Sequence, residues 1–146
     1  MNVGESSAKG ISNDIPATGV TLVSAGLQFD VGEGETYHFL YTLSNTSTNL
    51  AGFDHCIVAP GCTGSYINTS STSASVGDNA GTTGLAVNTR YGKTGNFNDT
   101  HSNTISGILV NGGAATTCDL QFAKHAAVGV NTVTNGGSSV LYTRIA

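Results

Sequence analysis

Residues 36–43 alternate between large apolar and smaller or polar side chains, and this pattern constrains the fold more than any other feature of the chain. Tyr37, Phe39, Tyr41 and Leu43 share one face if the segment is extended, because successive side chains of a strand point to opposite sides. A helical period would scatter the same four residues around its axis. The segment therefore predicts a β-strand with one face in a core.

The composition around this strand is that of a β-rich domain with an uncharged surface. Gly, Thr, Ser and Asn account for 20, 20, 15 and 13 of the 146 residues. Charged residues make up only 10%, against about 25% in an average domain. Hydroxyl and amide groups, rather than ions, are thus expected to make the surface polar.

Further short strands are predicted along the chain, separated by Gly-rich turns such as Asn111-Gly112-Gly113. No segment has a convincing helical period. The fold class predicted is all-β: an antiparallel, jelly-roll-like β-sandwich. The candidate strands are residues 20–24, 27–31, 36–43, 53–59, 64–68, 85–89, 104–111, 115–123, 129–134 and 138–145.

Two regions depart from this pattern. Residues 1–18 have few apolar positions and include Pro16, so they are predicted to form an extended N-terminal arm ahead of a sandwich domain at residues 19–146. Residues 69–103 have little periodicity and are rich in Ser, Thr, Gly and Asn. A connection this long is often functional, although a surface excursion without function explains it equally well.

The charge balance excludes some classes of partner. The net charge is −4, and the five Lys and Arg residues are scattered, so no basic stripe is available to neutralise phosphates. No apolar run approaches the ~20 residues that a membrane span requires. The first residues do not resemble a secretory signal. We therefore expect no nucleic acid and no membrane partner, and synthesis in a cytoplasm.

The three cysteines leave more than one arrangement open. Cys56 and Cys62 flank a turn at Pro60-Gly61, so a hairpin could bring them close enough for a disulfide. The odd number of cysteines argues against an obligatory disulfide framework. Cys118 alternates with Leu120 and Phe122 and is expected to be a small buried hydrophobe.

No pattern in the sequence is typical of a catalytic or metal site. A G-x-S-x-G elbow, a C-x-x-C pair and histidines at i, i+4 are all missing. A composite metal site from His55, Cys56 and Cys62 is conceivable, but ordinary surface and turn positions explain the four histidines better: His38, His55, His101 and His125. We expect neither an enzyme nor a cofactor.

Several segments together resemble a module of virion proteins of tailed bacteriophages. The resemblance extends from about residue 20 to residue 145, and its pattern is G-x-x-Y-x-F, an I-x-G strand, an L-Q-F-A strand and a closing segment that here reads Ser139-Val140-Leu141-Tyr142-Thr143-Arg144-Ile145. The segments that carry it are residues 27–31, 34–41, 105–110, 118–123 and 137–145.

The resemblance implies a jelly-roll or C1q/TNF-like sandwich, often trimeric, on the surface of a phage particle. A fibre subunit normally has a long shaft before such a module, whereas only some 20 residues precede it here. The shortness favours a capsid decoration protein that binds the major capsid protein on the outside of the shell. The arm would then provide the docking residues Asn2, Val3, Ile11, Ile15 and Pro16.

The alternative is a receptor-binding or carbohydrate-binding tip of a tail or head fibre. Aromatic side chains stack on sugar rings, and Asn and Asp side chains bind hydroxyl groups. The candidate residues for contact with a host-surface glycan are Tyr66, Tyr91, Phe97 and His101.

Overall fold

The computed structural model describes residues 1–48, 52–72, 82–93, 100–125, 129–133 and 137–146. Within these ranges the regular structure is entirely β, and no helix is long and apolar enough to cross a membrane. The strands are β1 (Ser6–Gly10), β2 (Ile15–Ala17), β3 (Val23–Ser24), β4 (Phe29–Val31), β5 (Thr36–Ser47), β6 (Phe53–Val58), β7 (Cys62–Thr72), β8 (Thr82–Ala86), β9 (Tyr91–Lys93), β10 (Thr100–Asn111), β11 (Thr116–Ala123), β12 (Asn131–Val133) and β13 (Ser139–Arg144).

The strands form two antiparallel sheets that pack together, which confirms the predicted β-sandwich. The large, eight-stranded sheet has the order β1-β13-β5-β10-β7-β8, with β12 joining β5 to β2. The small, five-stranded sheet has the order β3-β11-β6-β9, with β4 also paired to β11. From β4 to β7 the chain passes back and forth between the sheets, so strands that are neighbours in sequence face each other across the core.

The alternation in β5 places one side of this strand in the core, as predicted. Tyr37, Phe39, Tyr41 and Leu43 are all buried, whereas Thr42 between them is exposed. The inward side of β11 faces them from the small sheet, and Cys118, Leu120 and Phe122 there are fully buried, as expected for Cys118. Burial of these apolar side chains provides most of the stabilisation of a sandwich.

The turn between β6 and β7 carries the chain from the small sheet to the large one. Asn88 holds this turn: its side-chain amide donates to the carbonyls of Ala59 and Cys62, at 2.9 and 3.2 Å, and its carbonyl oxygen accepts from the amide of Ala59 at 2.7 Å. Cys56 and Cys62 are therefore in different sheets, and both thiols are free. Of the two arrangements that the sequence left open, the hairpin disulfide is not formed, because the turn joins two sheets rather than two paired strands.

The thiols give a simple chemical prediction. Cys56, Cys62 and Cys118 are buried and free, and burial raises the pKa of each thiol, that of Cys118 to about 12. Since the thiolate is the reactive form, we expect almost no reaction with a thiol reagent in the native state and three thiols per chain after unfolding. Titration with and without denaturant measures this. One reactive thiol in the unfolded, unreduced chain would instead show a disulfide.

The N-terminal segment differs from the predicted arm. Residues 6–10 pair with β13 and residues 15–17 pair with β12, so the segment lies along the large sheet rather than outside the core. Ile11 and Ile15 pack against the core, and Ala17 is buried. Edge strands are held by backbone hydrogen bonds, which do not require an alternation of apolar side chains in the sequence. The segment was predicted as an arm because it lacks this alternation.

The predicted long loop, residues 69–103, also contains regular structure. β7 continues to Thr72, and β8, β9 and the start of β10 lie within the interval. Residues 73–81 and 94–99 are outside the described residues. The Ser and Thr residues of these strands alternate with other small or polar residues, so the sequence shows no apolar period although the backbone is paired.

Candidate functional site

The predicted docking residues of the N-terminal segment fall into two groups separated by β1. Asn2 and Val3 precede the strand; Asn2 is hydrogen-bonded to the Glu5 carboxylate through its backbone amide and its side chain, at 2.6 and 2.8 Å, while Val3 is 62% exposed. Ile11, Ile15 and Pro16 follow the strand. Five residues of β1 span about 17 Å at ~3.3 Å per residue, so the two groups are at opposite ends of one sheet edge.

The outer edge of β1 is open among the described residues, where β1 pairs with β13 alone. The backbone amide of Arg144 donates to the carbonyl of Glu5 at 3.1 Å, so the hydrogen-bonded pairs of this ladder fall on the odd-numbered residues of β1. The N–H and C=O groups of Ser6, Ala8 and Gly10 therefore point away from β13. These groups could pair with one further strand.

A depression adjoins the C-terminal end of this edge. Its volume is about 300 Å³, and its apolar lining comes from Ile11, Ile15 and the backbone of Gly26. A side chain at Gly26 would contact both isoleucines, at 3.0 and 3.1 Å, so glycine keeps the depression open. Lys9 also lines it and donates to the carbonyl of Gln28 at 3.3 Å.

The second predicted site, an aromatic ligand-binding loop, is not formed by the described residues. Tyr66 is only 2% exposed and packs between the sheets, with ring centroids 6.4 Å from Phe39 and 5.8 Å from His55. Tyr91 is half-buried, and its hydroxyl accepts from the amide of Ala86 at 2.8 Å. Phe97 and the side chain of His101 lie outside the described residues. The assignment of Tyr66 to a ligand surface is wrong because its ring is in the core.

His55 also differs from its predicted surface or turn position. It is 4% exposed and its ring lies among Phe53, Tyr66 and Tyr91. Removal from water disfavours the charged imidazolium and lowers the pKa of His55 to about 4, although the Asp54 carboxylate partly opposes this shift. The ring Nε2 has no hydrogen-bond partner. His55 is therefore a neutral core residue at physiological pH.

A polar network lies on the outward side of the small sheet. The buried Asp54 carboxylate accepts from Arg90 Nε and Nη2, at 2.8 and 2.7 Å, and lies 2.7 Å from Nδ1 of His125. Gly92 is opposite Asp54 on β9, and a side chain there would collide with the carboxylate and with the His125 ring.

This Asp–His pair is oriented as in a general base. Among the described residues, the contacts of the His125 ring include the Asp54 carboxylate and no hydroxyl or thiol that would act as a nucleophile. The same ranges hold no group of three or more His, Cys, Asp or Glu side chains that could bind a metal ion. The network joins β6 and β9 to the segments that follow β8 and β11, and we derive no reaction from it.

The outward face of the large sheet carries an extended surface feature that was not predicted from the sequence. Leu141, Leu40, Ser106 and Ile67 are in register across β13, β5, β10 and β7, and Ile108 lies beside this row on β10. Ser and Thr flank the row. Outward residues of the central strands and of β1 include Ser6, Ala8, Thr36, His38, Leu40, Thr42, Thr63, Ser65, Ile67, Thr69, Thr104, Ser106, Ile108, Val110, Ser139, Leu141 and Thr143.

This surface, which we call the neutral face, contains no Lys, Arg, Asp or Glu among the residues just given. Its one titratable side chain is His38, whose Nε2 lies 3.2 Å from Ser106 Oγ. The sequence contains one indication of this face, which is that Thr104, Ser106, Ile108 and Val110 occupy every second position of β10. Strand order was needed to reveal the face, because Leu141 and Ile67 are far apart in sequence.

Comparisons with known proteins add little. No protein-family model and no curated protein matches the chain. One solved structure with a partial likeness is that of infectious bursal disease virus Gx strain, at a TM-score of 0.23 and 11% sequence identity. The likeness covers 94% of this chain and 38% of the virus chain. At this TM-score the two chains are not shown to share a fold.

Proposed function

We propose that this protein is a structural component of a tailed-bacteriophage particle, a capsid decoration protein that binds the outside of the major capsid protein lattice and stabilises it. The observation that carries the proposal is the open edge of β1, flanked by exposed Val3 at one end and an apolar depression at the other. The sequence resemblance to phage virion modules and the sandwich fold support it.

The open edge provides a physical mode of attachment. An extended segment of another protein can add to an exposed edge strand through main-chain hydrogen bonds, and side-chain pockets then supply specificity. Ser6, Ala8 and Gly10 offer the hydrogen-bonding groups, and the depression beside Ile11 and Ile15 could take one apolar side chain of that segment. The residues predicted as an arm would therefore dock as the edge of a folded sheet.

Stabilisation of the shell would follow from mass action. A ligand that binds an assembled lattice, and not its separated subunits, shifts the equilibrium towards the lattice by RT ln(1 + [L]/Kd). Because many copies bind one shell, the stabilisation contributed by each bound copy adds up over the whole lattice. No catalytic step is required, and we propose none for the Asp54 network.

The proposal is tested by co-sedimentation with undecorated capsids of the phage that encodes the chain. Wild-type protein should bind saturably, at a fixed number of copies per capsomer. Ala8→Pro should weaken binding at least tenfold, because proline removes an outward N–H group but leaves the bonds of Ser7 and Lys9 to β13 in place. Ala8→Ser retains the N–H group and is the matched control.

Failure of wild-type protein to sediment with capsids would overturn the decoration role and give priority to a fibre location, for which a glycan array is the next assay. Equal binding by Ala8→Pro and wild-type protein would overturn the role of the β1 edge. If Ala8→Pro does not fold, as judged by circular dichroism, Val3→Glu tests the other end of the same edge. It should also reduce binding, because it places a charge beside the docked segment.

A further inference from the structure

The neutral face has the features of an interface that excludes water in the assembled protein. Leu141 is 43% exposed, and Ile67, Ile108 and Val110 on the same face are also exposed. Leu141 and Leu40 are in register on adjacent strands, and Ile67 and Ile108 both neighbour Ser106 next to Leu40, so these apolar side chains are grouped rather than scattered singly over the surface. The small sheet, in contrast, has the Asp54 network on its outward side.

The absence of charge on this face points to a second copy of the chain as the occupant. The chain carries a net charge of −4, so two copies repel each other wherever their acidic surfaces meet. Two neutral faces can approach without this repulsion and without burying an unpaired ion. A strongly charged partner would gain nothing from a surface that offers it no opposite charge.

The projecting half and the recessed half of the neutral face are complementary to each other when two copies are related by a twofold rotation. A depression of about 320 Å³ lies on the β10–β7 half, and its lining includes Tyr66 and Gly107 together with the outward residues His38, Ser65, Ile67, Gly84, Ser106 and Ile108. Leu141 projects from the β13 half, about 12 Å away at ~4.8 Å per strand spacing. Leu40 on β5 lies between the two.

A twofold axis parallel to the strands and close to Leu40 would bring Leu141 of each copy over the depression of the other. The two Leu40 side chains would meet near the axis. Such an isologous contact closes on itself, since each residue pair occurs twice. The strands of the two large sheets would then run in nearly the same direction, which is a common way for sheets to pack face to face.

The size of the face is sufficient for a reversible pair. The five spacings of ~4.8 Å between the six strands, with a strand length of about 25 Å, give an area on the order of 600 Å² per copy. The total of about 1,200 Å² is at the lower limit of stable, specific interfaces. We expect dissociation at micromolar concentrations.

We propose that the protein forms a twofold dimer through the neutral face of its large sheet. The resemblance to phage virion modules implies a threefold assembly, whereas this face is complementary to itself in pairs. The proposal does not depend on attachment to a capsid, because it uses the outward side of the sheet rather than the β1 edge.

Light scattering after size exclusion, over a range of loading concentrations, tests the dimer. Wild-type protein should pass from dimer to monomer on dilution, with no trimer. Leu141→Glu should raise the dissociation constant at least 30-fold, because it moves a carboxylate into an apolar contact. Val20→Glu, at an exposed valine between β2 and β3, is the matched control and should leave the dissociation constant unchanged.

Cross-linking locates the axis. Leu40→Cys should be joined rapidly to its counterpart by a short bis-maleimide, whereas Val20→Cys should not, and the three native thiols are buried. A wild-type protein that is monomeric at high micromolar concentration overturns the proposal. A trimer, or a dimer that Leu141→Glu leaves intact and Leu40→Cys does not trap, overturns it as well.

Discussion

Phe39→Ala should lower the free energy of unfolding by about 3 to 5 kcal/mol, the range for removal of a buried aromatic ring. Phe39 is 0% exposed on β5, between β13 and β10, and its ring contacts those of Tyr41 and Tyr66. Gly107, opposite Phe39 on β10, has no side chain that could move into the cavity. The loss is large because a typical domain is stable by only about 5 to 15 kcal/mol.

Urea unfolding followed by circular dichroism at a fixed protein concentration measures this effect. Thr42→Ala is the control, because Thr42 is on the same strand but exposed. The free energy of unfolding of Thr42→Ala should stay within about 0.5 kcal/mol of the wild-type value. A loss below about 1 kcal/mol for Phe39→Ala would contradict the assignment of this face of β5 to the core.

Acidification should destabilise the protein between about pH 6.5 and pH 4 through His55. The pKa of this ring is lowered from 6.5 to about 4 by burial, so the unfolded chain binds a proton in this interval more readily than the folded one. The stability that the neutral ring contributes is fully present above pH 6.5 and is lost as the pH falls towards the folded-state pKa. This change in the pKa of His55 corresponds to a loss of about 3 kcal/mol in the free energy of unfolding, at about 1.36 kcal/mol per pKa unit.

The direct test is the pH dependence of the unfolding free energy in wild-type protein and in His55→Phe. Phenylalanine keeps a ring against Phe53, Tyr66 and Tyr91 but cannot bind a proton, so most of the slope between pH 6.5 and pH 4 should disappear. His38→Gln removes a histidine from the neutral face and should leave the slope due to His55 in place. An unchanged slope in His55→Phe would show that this ring is not buried in its neutral form.

The sequence was sufficient to predict the strands that bury one face. Tyr37, Phe39, Tyr41 and Leu43 recur at every second position because one side of β5 faces the core. β1 was not predicted, because its pairing with β13 depends on backbone hydrogen bonds and Ser6–Gly10 shows no alternation of apolar side chains. Tyr66 was assigned to a ligand surface because Gly64 and Asn68, its inward neighbours on β7, have no apolar side chain to mark that side as the core.

The environment of His55 and the surfaces proposed for function were harder to predict. β6 is buried on both sides, so His55 follows no alternation that would place it in the core. The neutral face joins residues from β13, β5, β10 and β7, and only their order in the sheet makes them neighbours. The depression near Ile11 and Ile15 likewise depends on Gly26, which belongs to the connection between β3 and β4.

Electron cryomicroscopy of capsids with and without the bound protein would test the decoration role most directly. The difference map should show density of the size of one or more copies of the sandwich on the outer surface of the shell, at one type of lattice position. The β1 edge, with Ser6, Ala8 and Gly10, should face the major capsid protein. Density restricted to the tail or fibres, or none on the shell at saturating protein, would contradict the account.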